Sequence, residues 1–569
     1  MLTQNSNRRY KQKDSLNRRD AETPREREFG QNRPLPFSFS PIRPFLFSLC
    51  LCVSVVATSS CGSKPVNLQE QAPSDALVYI ETNDLGKAVE SLTSNPVFQK
   101  LASRQPDLSA LRGIQLAVAV TGFEISEERL SEDDKGLNFR PRFVAIAETH
   151  AWNYQAKAFT EHKLGEFINE IYGGEVELET VDKHGGRYFT WTAQDGRKAF
   201  ALVIGSQILF GNDETAIEKC LAVKRGEADS FAKTGKVAAA VENTLAAGYV
   251  SPDGMAQIAT LAGTVLSNRS GESEDAQRFI SGVLPAILRS TVKEVNWSAA
   301  RTEQRIEDRF LFASEKEASS VWKETLVRSG AESENLSVFV PPSPFSVTRY
   351  DLKDPQVAWR SVLLLAAKQA GDVHGPILLA FSGSLFDPYG VADGELFLSA
   401  VGQQILTVKY DAEGDKTVVI VSVKDVVKVK KAIGGEIDLN KPSEKLNGAD
   451  LWRSVDGDLA AAFIEGTNIF ILGDPESVLQ SLAVRENGAN FTKNNLFARF
   501  SASNAVAVTF GRDVESAGKI VEVLADRKEG ENADTGYITE TRFNEKGIER
   551  TSVSDFGLIG DIVEHLGGE

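Results

Sequence analysis

Chemically reactive residues are scarce in this chain. Of its 569 residues only four are cysteine, five histidine and two methionine. Cys50, Cys52 and Cys61 lie near the amino terminus and Cys220 stands alone, so no disulfide framework is expected. His150, His162, His184, His374 and His565 fall in separate segments, none with a neighbour at metal-ligand spacing. The expected metal and cofactor complement is therefore none. HExxH, paired CxxC, GxGxxG, Walker and GxSxG patterns are missing, and with them the motif-based reasons to name a catalytic residue. A membrane-spanning run is missing as well: Phe45 to Ala57 is apolar for thirteen residues, short of the roughly 20 that a comfortable span needs.

What stands at the amino terminus is an export pattern. Residues 1–43 carry ten cations against five acids and little to pack. The apolar stretch follows, and then the small residues Thr58-Ser59-Ser60-Cys61-Gly62. A basic flank, an apolar core and small residues make a signal for export. The last five resemble a bacterial lipoprotein processing site, which implies that Cys61 receives lipid and becomes the new amino terminus. Thr58 stands where that site usually has an aliphatic residue. Cleavage after Ser59, giving a soluble secreted protein, and an uncleaved anchor stand beside the lipoprotein reading. Past Ser60 the cations fall to 53 and the acids to 74, a balance suited to solubility and unsuited to nucleic acid.

The body of the chain contains one stretch twice. Gly173-Gly174-Glu175 through Leu221-Ala222-Val223 recurs as Gly434-Gly435-Glu436 through Leu482-Ala483-Val484, 261 positions later. The offset pairs Trp191 with Trp452, Asp195-Gly196 with Asp456-Gly457, Gly205 with Gly466 and Asp213 with Asp474. That is an internal repeat. Each copy reads as a hairpin (199–204 and 207–210; 460–465 and 468–472) turned by Gly205-Ser206 or Gly466-Thr467. Each then runs into a helix capped by Asp213 or Asp474, with Pro475 at the second helix's first position.

The rest of the chain extends the duplication. Asp84-Leu85 returns as Asp351-Leu352, and the Asn95-Pro96 helix start as Asp354-Pro355. Near the end of each half, strands at 295–299 and 305–313 followed by a helix resemble 537–543, 548–553 and a last helix, here at an offset of 242. Strands are further expected at 76–81, 115–120, 142–147, 377–381, 395–401, 405–410 and 417–423, at intervals that favour antiparallel sheet. An acidic loop is expected at 127–136 and a largely helical region at 236–288, broken at 249–254 and again by a surface loop at 267–274. The expected fold is α+β, two tandem copies of a mainly antiparallel sheet-plus-helices domain. Its parts are a leader and export signal at 1–60, a tether at 61–72, and repeat domains at 73–328 and 336–569.

Candidate chemistry in this body has structural explanations. Asp213 and Asp474 are helix caps. Cys220 matches Ser481 and sits on a core-facing helical position. Asp411, Glu413 and Asp415 lack the glycine and terminal glutamate of a calcium loop and read as a turn. Trp191 and Trp452 could stack a ligand between the halves, but they suit core packing at the hairpins.

The strand Pro73-Ser74-Asp75-Ala76-Leu77-Val78-Tyr79-Ile80-Glu81 and the helix start Gly473-Asp474-Pro475-Glu476-Ser477 resemble a class of exported bacterial proteins of unknown function built from a duplicated α+β domain. The resemblance would span most of 73–569 and brings no catalytic residue. The export signal, the duplication and the keeping of structural rather than reactive groups between copies lead to the expectation of a non-enzymatic protein of the bacterial cell envelope, lipid-anchored at Cys61 or secreted, that binds an envelope protein or a hydrophobic small molecule. The alternative is an envelope hydrolase with a site assembled between the halves.

Overall fold

Alternating apolar residues in short runs build a sheet. In the computed structural model, the described residues are 65–129, 135–237, 243–269, 288, 291–330, 335–433, 437–439, 442–513, 515–533 and 535–567. Cys61, the export signal and Gly434-Gly435-Glu436 lie outside them. Among the described residues no helix is long and apolar enough to cross a membrane.

The first ten strands are β1 Val78–Thr82, β2 Gln115–Arg129, β3 Lys135–Glu148, β4 Glu177–Lys183, β5 Gly186–Thr192, β6 Lys198–Ile204, β7 Gln207–Gly211, β8 Thr244–Val250, β9 Glu294–Thr302 and β10 Arg305–Ala313. The second ten are β11 Ser346–Asp351, β12 Val401–Lys409, β13 Thr417–Val423, β14 Glu444–Leu446, β15 Ala449–Arg453, β16 Ala460–Ile464, β17 Ile469–Gly473, β18 Ala507–Asp513, β19 Thr535–Asn544 and β20 Gly547–Ser554. All pairings are antiparallel. The first set runs 4-5-6-7-3-2-1-8-9-10 across the sheet. The second runs 14-15-16-17-13-12-11-18-19-20, the same order. β10 pairs with β20 and joins them into one sheet of twenty strands. One of the two central pairs of that ladder is Arg309 opposite Thr551. These two are 242 positions apart (309 to 551), the offset that relates the two terminal hairpins in the sequence.

Both faces of the sheet are covered, because successive side chains point to opposite sides. In the first half, Tyr79, Ala119, Val144 and Leu209 pack under the helix Glu214–Lys224 and against Leu68, Ala72 and Phe231. On the other face Ala145, Ala201 and Phe210 meet the helices Leu85–Thr93, Pro96–Leu101 and Gly165–Tyr172. The second half repeats this, with Val408, Val418 and Ile471 under the helix Pro475–Asn487. Its other face packs Val421, Phe470 and Leu472 against Val426–Ile433 and Gly394–Ala400. The halves also trade helices. Ala517, Ile520 and Val521, with Phe556 and with Ile559 and Val563 of the closing helix Gly557–Gly567, enter the first half's core. Trp322 of Lys316–Thr325 packs on Phe543 and Ile548 of the second.

Several expectations are corrected. From residue 65 onward the expected tether is part of the body: Leu68 and Ala72 are buried, and Asn67 caps a short helical turn at Leu68–Glu70. The segment 377–381 belongs to a helix, Pro355–Phe381, and 395–401 begins as the helix Gly394–Ala400, capped where Asp393 accepts from the Leu396 amide. Short apolar runs carry no period that separates strand from helix. Within 236–288, Thr244–Val250 is strand β8, because pairing with β1 and β9 outweighs the helix preference of Leu and Ala. The strands β2 and β3 continue into the acidic stretch as far as Arg129 and from Lys135. Gly205-Ser206 is a two-residue turn, whereas the second hairpin turns through 465–468. At the end of each hairpin Gly211 or Gly473 is required by close approach, since a Cβ there would lie 2.3 Å from the Phe143 carbonyl oxygen or 2.1 Å from that of Thr417.

Candidate functional site

Most residues singled out in the sequence serve the framework. Asp213 accepts from the Thr215 amide and Asp474 from the Ser477 amide, each starting its helix. Asp411 accepts from the amides of Gly414 and Lys416 and closes a turn. Cys220 is buried, and burial pushes its thiol up to about 12, which leaves it unreactive near neutrality. Trp191 stacks on Phe189 in one core and Trp452 meets Phe463 in another, so the two indoles do not face each other. Among the described residues no three His, Cys, Asp or Glu side chains are arranged to hold a metal ion.

The candidate site lies where β10 meets β20. Alternation places Asp308, Phe310 and Phe312 of β10 on one face with Arg550, Ser552 and Ser554 of β20, Asp308 opposite Ser552 and Phe310 opposite Arg550. Thr539, opposite Ser552, and Tyr537 continue that face on β19. The helices Ser516–Leu524 and Gly557–Gly567 wall one side, and the half-open cavity measures about 370 Å³, within the usual range for small-ligand pockets.

Three of its carboxylates are held by the fold. Asp308 accepts from the Trp297 indole N–H at 2.8 Å and from the Leu558 amide at 2.9 Å, so a side chain of the first half caps the last helix of the second. Burial raises its pKa. Gly557, at φ 60°, lets that helix start so close, since a Cβ would stand 2.5 Å from Ile306. Asp513 accepts from the Ser516 amide, and Asp555 lies 3.5 Å from Arg305. No family model, curated protein or solved structure matches the chain. The site is therefore read from its own chemistry.

Asp561 is the carboxylate the fold leaves over. It lines the cavity from the exposed side of the last helix, and partial burial, then Glu564, Asp308 and Asp513, push it up to about 6. Arg550 is its counterpart at the other end, exposed and without an ion-pair partner among the described residues. Tyr537 stands between, acted on by both Arg550 and Asp513.

Two other cavities are weaker candidates. One of about 760 Å³ opens beside Lys236, Arg309 and Lys323, but these cations are already paired with Glu294, Glu307 and Glu545. An apolar slot of about 90 Å³ lies between Phe143, Phe167 and Phe210 and is too small for more than a few carbons.

The signal for the junction was in the sequence as a mismatch. The 242 offset of the terminal hairpins sets Asp308 against Arg550, Phe310 against Ser552 and Phe312 against Ser554. These are the floor residues of the cavity.

Proposed function

We propose that the protein is a non-enzymatic binding module of the bacterial cell envelope, exported by its amino-terminal signal and either lipid-anchored at Cys61 or secreted. In this reading the two halves are copies of one α+β domain produced by duplication. The identical order of two sets of ten strands and the shared offset at Arg309 and Thr551 support that origin. The observation that carries the binding role is the floor of the junction cavity. Corresponding positions there hold opposite charges and exchange aromatic rings for hydroxyls, although the strands that present them are equivalent. The capping of Leu558 accounts for Asp308, but no ion pair among the described residues accounts for Arg550, so the divergence suits a ligand that meets both halves at once. The resemblance to exported duplicated-domain proteins is in keeping with it.

The alternative, an envelope hydrolase, is favoured by Asp561, a carboxylic acid poised near neutrality in a cleft. Native mass spectra of the full-length chain purified in detergent test the binding reading. A reproducible small adduct lost on denaturation, and lost from a variant with Ser552→Trp filling the cavity, is expected. Turnover of an adduct released from the wild type, abolished by Asp561→Asn, would instead establish the enzyme.

A further inference from the structure

The cavity at the junction is electrically two-ended. At one end stand Asp513, Asp555 and Asp561, and burial first, then Glu564, Asp308 and Asp513, disfavour the ionised form of Asp561. At the other end is Arg550, four residues of β20 away from Ser554, about 13 Å along an antiparallel strand. Between them the floor carries Ser552 and Thr539, level with Asp308, while Phe310 lies opposite Arg550 and Phe312 beyond it; Tyr537 also lines the cavity. Aromatic faces tolerate both methylene chains and cations, and the serine and threonine hydroxyls can accept or donate.

We infer that this cavity binds a small organic zwitterion, its ammonium group at Asp561 and Asp513 and its anionic group at Arg550 beside the Phe310 ring, with a chain of several bonds crossing Ser552 and Thr539. The inference rests on the binding role proposed above. Each end has a reason to want the opposite charge. Asp561 faces Glu564, Asp308 and Asp513, and of these Glu564 already holds Lys519 at 3.1 Å, while His565 is turned to the Asp561 carbonyl oxygen. Arg550 has no carboxylate of its own among the described residues. A purely cationic ligand would leave Arg550 unanswered, and a purely anionic one would be repelled by the aspartates. The hydroxyls of Ser552 and Thr539, hydrogen-bonded to each other at 3.0 Å and level with Asp308, give the span between the two ends a polar floor.

Calorimetric titration of the full-length protein at neutral pH with three probes of one chain length tests this. The probes are 5-aminopentanoate, pentylamine and pentanoate. 5-Aminopentanoate is expected to bind at least about tenfold tighter than either singly charged probe, the ordinary effect of one added charge-assisted contact. Asp561→Asn is expected to remove its advantage over pentanoate, and Arg550→Gln its advantage over pentylamine. Both side chains are exposed, so the variants should keep the wild-type circular dichroism spectrum and melting temperature to within a few degrees. Equal affinity for pentylamine and 5-aminopentanoate, or no saturable binding of any probe, would overturn the zwitterion. The parent reading fails separately: a neutral or singly charged adduct in the native spectra would keep the binding module while ending this inference, and no adduct at all would remove the small-ligand role itself.

Discussion

The two halves share an order of ten strands and differ at three places where that order leaves room. In the first half β2 and β3 pair over fourteen positions, out to Arg129 opposite Lys135, whereas β12 and β13 stop at Lys409 opposite Thr417. Over the sheet, the short helices Leu85–Thr93 and Pro96–Leu101 are answered by the long kinked helix Pro355–Phe381 with its break at Gly371. At the junction, Asp308 caps a helix and Arg550 faces solvent. The framework accommodates change at its ends and over its surface while the strand pairings within each half keep one order. What it keeps alike are groups with a local steric or capping duty, such as Gly211 with Gly473 and Asp213 with Asp474.

The largest effects should come from the matched cores. Phe231 stacks on Tyr79 at 4.2 Å, and Phe491 packs among Phe497, Phe500 and Phe510; both are fully buried. Phe231→Ala and Phe491→Ala should each cost about 3–5 kcal/mol. Because the sheet and the exchanged helices join the halves, both variants are expected to shift one denaturant transition. Two separate transitions would show that the halves unfold apart.

A smaller effect separates matched helix starts. Asn95 is 1 % exposed; its Oδ1 accepts from the Val97 amide while its Nδ2 donates to the carbonyls of Gln304 and Asp555, both at 2.9 Å. Asp354 only accepts from the Val357 amide. Asn95→Ala should therefore cost about 2–4 kcal/mol and Asp354→Ala about 1 kcal/mol, measured by urea unfolding. Asp213→Ala and Asp474→Ala should sit together near 1 kcal/mol, the worth of a cap, and a clear difference between them would break the equivalence of the two helices.

The smallest effect concerns pH. Asp561 is pushed up to about 6 in the folded chain, so from about pH 4 to pH 6 the native state holds more proton than the unfolded one. Its contribution to stability is lost as the pH rises through that window. Asp561→Asn should remove the slope and stabilise the protein above pH 6, by about 0.5 kcal/mol once solvent screening of an exposed group is allowed for.

Local chemistry made much of this legible. Asp84, Asn95, Asp213, Asp354 and Asp474 could be read as caps because each acts within three residues of itself. Strand β8 and the helix Gly394–Ala400 could not, since their identity is settled by partners far along the chain. The cavity was hidden for the same reason: Asp308 and Leu558 are 250 residues apart. Only the hairpin offset bridged that distance.

The pairing of β10 with β20 underlies the common framework and the shared cavity alike, and disulfide trapping at its centre tests it most directly. In full-length protein, Arg309→Cys with Thr551→Cys, directly opposite one another, should oxidise to a cross-link between those two positions, mapped by peptide mass spectrometry. Arg309→Cys with Ile538→Cys, two strands away through β20, should not. Absence of the first link, or equal yield of the two, would contradict the junction.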